Sequence, residues 1–369
     1  MNFLFFSGGS FIGGMEVVVQ GLMAELNKMG HRTLAIVSGW NNGDYPTRLR
    51  ASGLPYEEVK LGRFYQSRPL WTLDTLRNLP RAALTLRRLV QEFRADSAIY
   101  PDPQLLLMGS LILPKLQTVL YEHNDLGNVR RSAVIKVIDA RLDRIVCVSD
   151  FVAAGLRNAG FESKKIAVVH NGIVLPANLP LPSHNQPIRL GIVGQVLPRK
   201  QHLMLVRALG ILRARRPSIA FRLKVIGNAD GQYAQEVKEL VRQLKLQDIV
   251  EWSGFFSNRD DIYRELDIVV APAIDEPFGT TILEAGAYSL PVVAARSGGF
   301  PEMVLDGMTG LLFDIAEAES LVGVLERLII DSSLRDRLGR AGRLHIGQVF
   351  NIERMATRFA DVLSHNEAD

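Results

Sequence analysis

Cysteine is nearly absent: the 369 residues contain one, Cys147. A single thiol cannot form an internal disulfide or a thiolate metal cage. It sits inside Arg144-Ile-Val-Cys-Val-Ser149, a run that reads as a buried strand, so a small core residue is expected rather than a nucleophile. Such usage fits a reducing cytoplasm. Long hydrophobic runs are also missing. No stretch approaches the ~20 apolar residues of a spanning helix, so the chain is expected to be soluble or peripheral. The apolar start, Met1-Asn-Phe-Leu-Phe-Phe6, lacks a basic flank and turns to glycine within a few residues. It reads as a first buried strand, not a leader. Solenoid repeats and low-complexity tracts do not occur. Nor does G-x-G-x-x-G: the first glycine loop is Gly8-Gly-Ser-Phe-Ile-Gly-Gly14, and the second strand ends at Val37-Ser-Gly39 without an acid for an adenosine ribose. A nicotinamide dinucleotide site is therefore disfavoured. No D-x-D-like loop stands out, since Asp260-Asp261 reads as an ordinary helix start. No metal and no cofactor are expected.

What is present is ordinary in bulk and uneven in charge. Apolar residues make up 47% and charged residues 22%, typical of a globular protein. The length suggests two domains of ordinary size. Residues 1–180 hold 21 Lys and Arg against 15 Asp and Glu, a balance of +6; the remainder holds 22 against 24, a balance of −2. A basic front half suits either an anionic surface or acceptor, or a plainly solvated face.

Short apolar runs alternate with longer amphipathic segments from end to end. Strands are predicted at Phe3–Phe6, Thr33–Val37, Ser97–Tyr100, Thr118–Tyr121, Arg144–Val148 and Ile166–Val169, with helical patterns at Glu16–Met29 and Leu73–Phe93. Residues 174–187 contain four prolines and read as an extended linker. The alternation then restarts: Arg189–Val193, Phe221–Ile226, Ile249–Trp252, Asp267–Ala271, Pro291–Ala294 and Gly310–Phe313, with helices such as Leu203–Ala214 and Tyr233–Leu244. Repeated β-then-α implies α/β domains with doubly wound parallel sheets, and the linker implies two of them. Ligands of such sheets bind at the carboxyl ends of the strands, and with two domains a cleft between them is the expected place.

Three loops could carry chemistry. In the first, Gly13 and Gly14 precede a helix, where bare amides can meet a phosphate; a plain tight turn reads equally from the sequence. In the second, Val193-Gly-Gln-Val-Leu-Pro-Arg-Lys-Gln-His202 sets Arg199 and Lys200 where a helix begins. Cations are disfavoured there, and a bound diphosphate would remove the conflict; solvated surface cations are the plainer reading. The third is Ala271-Pro-Ala-Ile-Asp-Glu-Pro-Phe-Gly-Thr-Thr-Ile-Leu-Glu-Ala-Gly286. A helix starting near Thr280 or Thr281 would leave the amides of Phe278, Gly279, Thr280 and Thr281 unpaired. Glu276 and Glu284 would each offer a carboxylate to vicinal hydroxyls. Alternatively, Thr281-x-x-Glu284 is a capping box with Glu284 folded onto its own helix. Ser297-Gly-Gly-Phe-Pro-Glu302 forms a further loop at the same sheet edge, and His123, in Tyr121-Glu-His-Asn-Asp125, follows a first-domain strand.

Together these residues resemble the family 4 retaining glycosyltransferases, which have the GT-B architecture. The E-x7-E signature reads Glu276 to Glu284, followed by Gly298-Gly-Phe-Pro-Glu302 and Asp306-Gly-Met-Thr-Gly310; Gly13-Gly14-Met-Glu16, Gly30-His31, His170-Asn-Gly172 and Val225-Ile-Gly227 also fit. The matches span most of the chain in order. The resemblance implies an acceptor-binding domain at 1–176, with a C-terminal helix at about 352–369 crossing back onto it, and a donor-binding domain at 187–351. It assigns Glu284 to the ribose, Glu276 to the donor sugar, Lys200 to the diphosphate and His123 to the sugar's reacting face. Amides of Gly14 and of Phe278 to Thr281 would surround phosphate and sugar, and the base would lie against Gly254, Phe255 and Phe256. The implied reaction is metal-independent transfer with retention, from a UDP- or GDP-type sugar to a hydroxyl of a glycan or lipid-linked acceptor in cell-surface polysaccharide or glycolipid assembly. The implied setting is cytoplasmic, at the inner membrane face, with no nucleic-acid partner.

One position departs from the family. Its G-R-x-x-x-x-K segment has Gln195 where arginine is usual, and Arg199 could supply that charge from another backbone position. Two alternatives therefore stand: a nucleotide-sugar-binding module with weak or lost transfer, and a nucleotide-sugar epimerase of the same architecture. The segment 63–93 mixes Phe64, Tyr65, Leu70, Trp71 and Leu73 with Arg63, Arg68, Arg77, Arg81, Arg87 and Arg88. It could rest on an anionic bilayer, or be a core-packed helix with a basic outer face.

Overall fold

The computed structural model describes residues 1–8, 12–61, 69–113, 116–124, 133–179, 186–256 and 258–364. The chain forms two compact units: 1–172 with 352–369, and 173–351. Within the sequence-predicted segments, Gly9–Phe11, Arg63–Arg68, Asp125, residues 180–185 of the linker and the tail 365–369 lie outside the described residues.

The first unit holds seven strands: β1 (Asn2–Ser7), β2 (Arg32–Ser38), β3 (Tyr56–Val59), β4 (Ser97–Tyr100), β5 (Gln117–Glu122), β6 (Arg144–Cys147) and β7 (Ile166–Val168). Their spatial order is β3-β2-β1-β4-β5-β6-β7, all parallel. The second unit holds β8 (Ile188–Val193), β9 (Phe221–Ile226), β10 (Val250–Gly254), β11 (Ile268–Ala271), β12 (Val292–Ala295) and β13 (Leu311–Phe313). Their order is β10-β9-β8-β11-β12-β13, again parallel. Parallel strands covered by helices are buried on both faces, and the sequences obey: β4, β11 and β12 are buried at every residue.

Strand β3 escapes prediction because it is an edge strand. Its Glu57 and Glu58 are exposed, and only Val59 is buried, so no alternating apolar signal exists. The other twelve strands fall on predicted runs. Cys147 is a fully buried core residue, and burial pushes its thiol up to about 12.

The helix Ile352–Ser364 packs in the first unit. Ile352, Met355, Ala356, Phe359, Ala360 and Leu363 are buried at the spacing of one helical face. Phe359 meets Phe3, Phe5 and Tyr121 at ring distances of 6.2, 5.8 and 5.4 Å. The last strand-order reversal places the functional loops. In each sheet the order changes direction next to the first strand, between β1 and β4 and between β8 and β11. Loops leaving the carboxyl ends of two such neighbours diverge to opposite faces, opening a crevice at the strand ends. The two loops so placed in the second unit carry Arg199 and Lys200 after β8, and Glu276 after β11. On the opposite edge of this strand pair, buried Asp267 accepts from Arg189 Nε and Nη2 at 3.0 and 2.7 Å, locking β8 to β11 in register.

Candidate active site

The loops after β8 and β11 meet through backbone and charge. The Ile274 amide donates to the Arg199 carbonyl at 2.8 Å. Arg199 Nη1 and Lys200 Nζ both donate to Glu276 Oε2, at 2.6 and 2.9 Å. Glu276 is 9% exposed, so its charge needs these partners. Its Oε1 accepts no hydrogen bond among the described residues. Gln195, by contrast, lies exposed. Arg199 thus brings a guanidinium to the cluster from a turn four residues further along the chain.

The Ser297-Gly298-Gly299 loop cradles the Glu276 main chain. Gly299 N–H donates to the Glu276 carbonyl at 2.8 Å, and the Asp275 amide donates to Ser297 Oγ at 3.0 Å. A Cβ on Gly298 would lie 2.4 Å from Glu276 O and 2.5 Å from its N, and Gly298 has φ +59°. Only glycine permits this approach. Gly279, at φ +89°, is the N-cap of the helix Thr280–Ala287, and a Cβ there would strike the Phe300 ring at 2.4 Å. The amides of Gly279, Thr280 and Thr281 have no protein acceptor among the described residues. Open amides at a helix N-terminus suit an anion. Phe278 is buried beside them, 6.1 Å from Phe350.

Glu284 does not fold back as a cap. With Gly279 as N-cap and no side-chain cap bond, Thr281 is already inside the helix, so the capping-box reading is corrected. The Glu284 carboxylate instead reaches a neighbouring helix, Arg259–Tyr263. Arg259 Nε lies 2.8 Å from Oε1, and the Tyr263 hydroxyl donates to Oε2 at 2.6 Å. Neither Arg259 nor Tyr263 stands out in the sequence. The nearest signal was Asp260-Asp261, read as a helix start; the helix begins at Arg259, with Asn258 as its cap. At the end of β10, Gly254 has φ +70° and Phe255 is 81% exposed.

In the first unit, Gly13 is the N-cap of the helix Gly14–Lys28, and its amide is already spent on Glu16 Oε2 at 2.9 Å. Gly14 keeps its amide free among the described residues, with open space where a Cβ would stand. His123 follows β5. Its ring packs against Tyr121 at 4.2 Å, and its Nε2 is buried without a partner among the described residues. Burial lowers its pKa to about 3, so it is neutral at physiological pH. The preceding Glu122 is buried too. Its Oε1 accepts from the Asn124 amide at 2.9 Å, while Oε2 has no partner among the described residues. Burial raises this carboxyl to about 7.

The helix Pro69–Phe93 has a buried side formed by Thr75, Ala82, Leu86 and Leu89. Its other side exposes Leu73, Leu76 and Leu84, at 61, 48 and 70%, among exposed Arg77, Arg81, Arg87 and Arg88. The helix is thus packed on one side and basic on the other, with three exposed leucines among the arginines. No described helix is long and apolar enough to cross a membrane.

Comparison with known proteins follows the same division. Residues 12–175 match the model of Glycosyltransferase Family 4, and residues 180–345 match that of Glycosyl transferases group 1. The D-inositol 3-phosphate glycosyltransferase of Arthrobacter sp. strain FB24 is 30% identical over a 267-residue alignment that covers 66% of this chain and 61% of that protein. A crystal structure of Anabaena HepE in complex with UDP-glucose superposes with a TM-score of 0.80 at 21% identity, covering 99% of each chain. Sucrose-phosphate synthase from Thermosynechococcus elongatus gives 0.78 at 19% identity over 98% of each chain. These likenesses establish the fold as the two-sheet GT-B architecture.

Two outcomes test the geometry. Gly298→Ala should displace the Glu276 main chain and lower nucleotide-sugar affinity at least tenfold by calorimetry; unchanged affinity would show that the cradle is dispensable. Glu122 gives a pH test. Its folded pKa lies above its unfolded value, so the stability it contributes is present below about 4.5 and is lost as pH rises through about 7. Glu122→Gln removes that loss. Relative to wild type, the variant should gain stability between pH 5 and 8, on the order of 2 kcal/mol in denaturant titrations. A difference that does not grow with pH would refute the assignment.

Proposed function

This chain belongs to the family 4 glycosyltransferases, and from that premise we propose that it is a retaining, metal-independent enzyme that moves a sugar from a nucleoside-diphosphate donor to a hydroxyl of a glycan or lipid-linked acceptor. The observation that carries the proposal is the convergence of Arg199 and Lys200 on Glu276 Oε2, at the carboxyl ends of β8 and β11. This is a site with two cations and one anion, so it has an excess positive charge suited to a diphosphate. UDP is favoured as the nucleotide by likeness to HepE, which binds UDP-glucose.

Transfer breaks the bond between the sugar's anomeric carbon and the diphosphate oxygen and forms one to the acceptor oxygen. The acceptor proton leaves with the departing phosphate. Charge builds on the diphosphate as the bond breaks. In this reading Lys200, Arg199 and the amides of Gly279, Thr280 and Thr281 stabilise it. The free Glu276 Oε1 accepts from a hydroxyl of the transferred sugar, holding it while the oxocarbenium-like centre forms. Glu284 takes the ribose hydroxyls and Phe255 the base. The family resemblance assigns His123, neutral, to the sugar and the Gly14 amide to phosphate. Retention requires attack from the leaving-group side.

Lys200→Ala and Glu284→Ala should each lower the transfer rate by two or more orders of magnitude at a temperature where circular dichroism shows the variant still folded. Near-wild-type turnover in either would sink the assignment. Chelator should leave the rate unchanged, and the anomeric proton coupling of the product should match that of the donor. Two results would favour other readings: epimerised donor in the absence of acceptor, or donor binding without transfer to any acceptor.

The exposed face of the helix Pro69–Phe93 supports docking on an anionic bilayer. Leucines can enter the interface while arginines meet headgroups, at about 1 kcal/mol per basic side chain. The chain should cosediment with vesicles containing anionic lipid and not with neutral ones. Arg77→Gln combined with Arg81→Gln should weaken that binding about tenfold or more; binding that ignores lipid charge would remove the bilayer from the proposal.

A further inference from the structure

Glu284 is held from two sides by one helix. The helix Arg259–Tyr263 follows β10, and its Asn258 cap accepts from the Asp260 amide at 3.1 Å. Residues four apart lie on one helical face, so Arg259 and Tyr263 are presented together. Arg259 Nε meets Oε1 at 2.8 Å and the Tyr263 hydroxyl meets Oε2 at 2.6 Å. Tyr263 is itself fixed: it is fully buried and stacks on Tyr288 at 5.3 Å, and the Tyr288 hydroxyl bonds to Asp260 on the same short helix. Arg259 differs, being 35% exposed in its side chain against 15% for Glu284.

We infer that Arg259 is a positioning residue for nucleotide binding: with Tyr263, it sets the plane of the Glu284 carboxylate so that both oxygens face a ribose diol. The inference rests on the assignment of Glu284 to the ribose. A carboxylate has about four lone-pair sites. Among the described residues Oε2 accepts one hydrogen bond, from Tyr263, and Oε1 is ion-paired with Arg259 Nε, which leaves each oxygen with capacity for a hydroxyl. Two vicinal hydroxyls offer two donors. A single anchor from Tyr263 would leave the carboxylate free to rotate about its last bond, and only one hydroxyl could then be met well. The second anchor, Arg259, removes that freedom before the ligand arrives. A salt bridge present only for stability would sacrifice nothing specific to the ribose when broken.

The test uses UDP and 2′-deoxy-UDP, with GDP and 2′-deoxy-GDP in parallel, on the full chain by calorimetry. Wild type should prefer the ribose form of the nucleotide it binds by about tenfold or more, as expected for a hydrogen bond to a charged acceptor. Glu284→Ala should abolish the preference. Arg259→Gln should weaken ribonucleotide binding and leave deoxynucleotide binding unchanged, so that the preference shrinks to a few-fold. In Glu284→Ala, adding Arg259→Gln should do nothing further. If Glu284→Ala keeps the preference, the ribose assignment itself fails. If Glu284→Ala loses it while Arg259→Gln keeps it in full, the positioning role is overturned and the ribose assignment stands. Equal weakening of both nucleotides by Arg259→Gln also overturns it, leaving a purely structural ion pair. Should Arg259→Gln not fold, Tyr263→Phe, which keeps the stack on Tyr288, carries the same comparison.

Discussion

One carboxylate oxygen shared by two cations organises the second unit. Glu276 Oε2 accepts from Arg199 and Lys200, and Glu276 is almost wholly buried. A buried carboxylate without partners is strongly destabilising, so the loop after β11 adopts its path only where the loop after β8 can supply charge. The contributions differ. Lys200 is 16% exposed in its side chain and Arg199 51%, so the lysine is less screened and carries more of the compensation. Both loops come from neighbouring strands at the reversal of strand order. The fold therefore delivers the partners, and the partners stabilise the site.

Much of this was legible from residues alone. The β-then-α alternation gave the two parallel sheets, and Glu276, Glu284, Arg199 and Lys200 were all singled out. What sequence could not give was the direction of side chains. Glu284 fits a capping box on paper because spacing alone cannot say where a helix begins. Gly279, in a left-handed conformation, starts the helix early and frees Glu284 for Arg259 and Tyr263. Those two residues carry no motif of their own. They matter because a separate helix lies against Glu284, a tertiary fact. Strand β3 was missed for a simpler reason: an edge strand with two outward glutamates has little to bury.

Glycines around the site are placed by contact rather than by flexibility. Gly298 touches the main chain of Glu276, and Gly227 lies so close to Gly194 that a Cβ would sit 2.1 Å from the Gly194 carbonyl oxygen. Gly194 N–H in turn donates to Ile226 O at 2.8 Å. The loop after β8 is thus pressed against the end of β9, while the loop after β11 is pressed against the Ser297 turn. Two close backbone approaches hold the charge cluster between them, so its arrangement is set by packing.

The same support explains how Gln195 can stand where an arginine is usual. A motif reads charge by backbone position, whereas a phosphate senses where the charge ends. After β8 the chain makes a short turn at Pro198–Lys200, and Gln201 then takes a left-handed conformation, φ +55°, to enter the helix His202–Arg215. That conformation costs a non-glycine residue about 1–2 kcal/mol, an expense located beside the two cations it aims. The Tyr233 hydroxyl accepts from the Leu203 amide at 3.3 Å and so occupies part of that helix's N-terminus. Arg199 thus brings its charge to Glu276 from a position four residues beyond Gln195, because the turn, not the register, decides where its guanidinium lies.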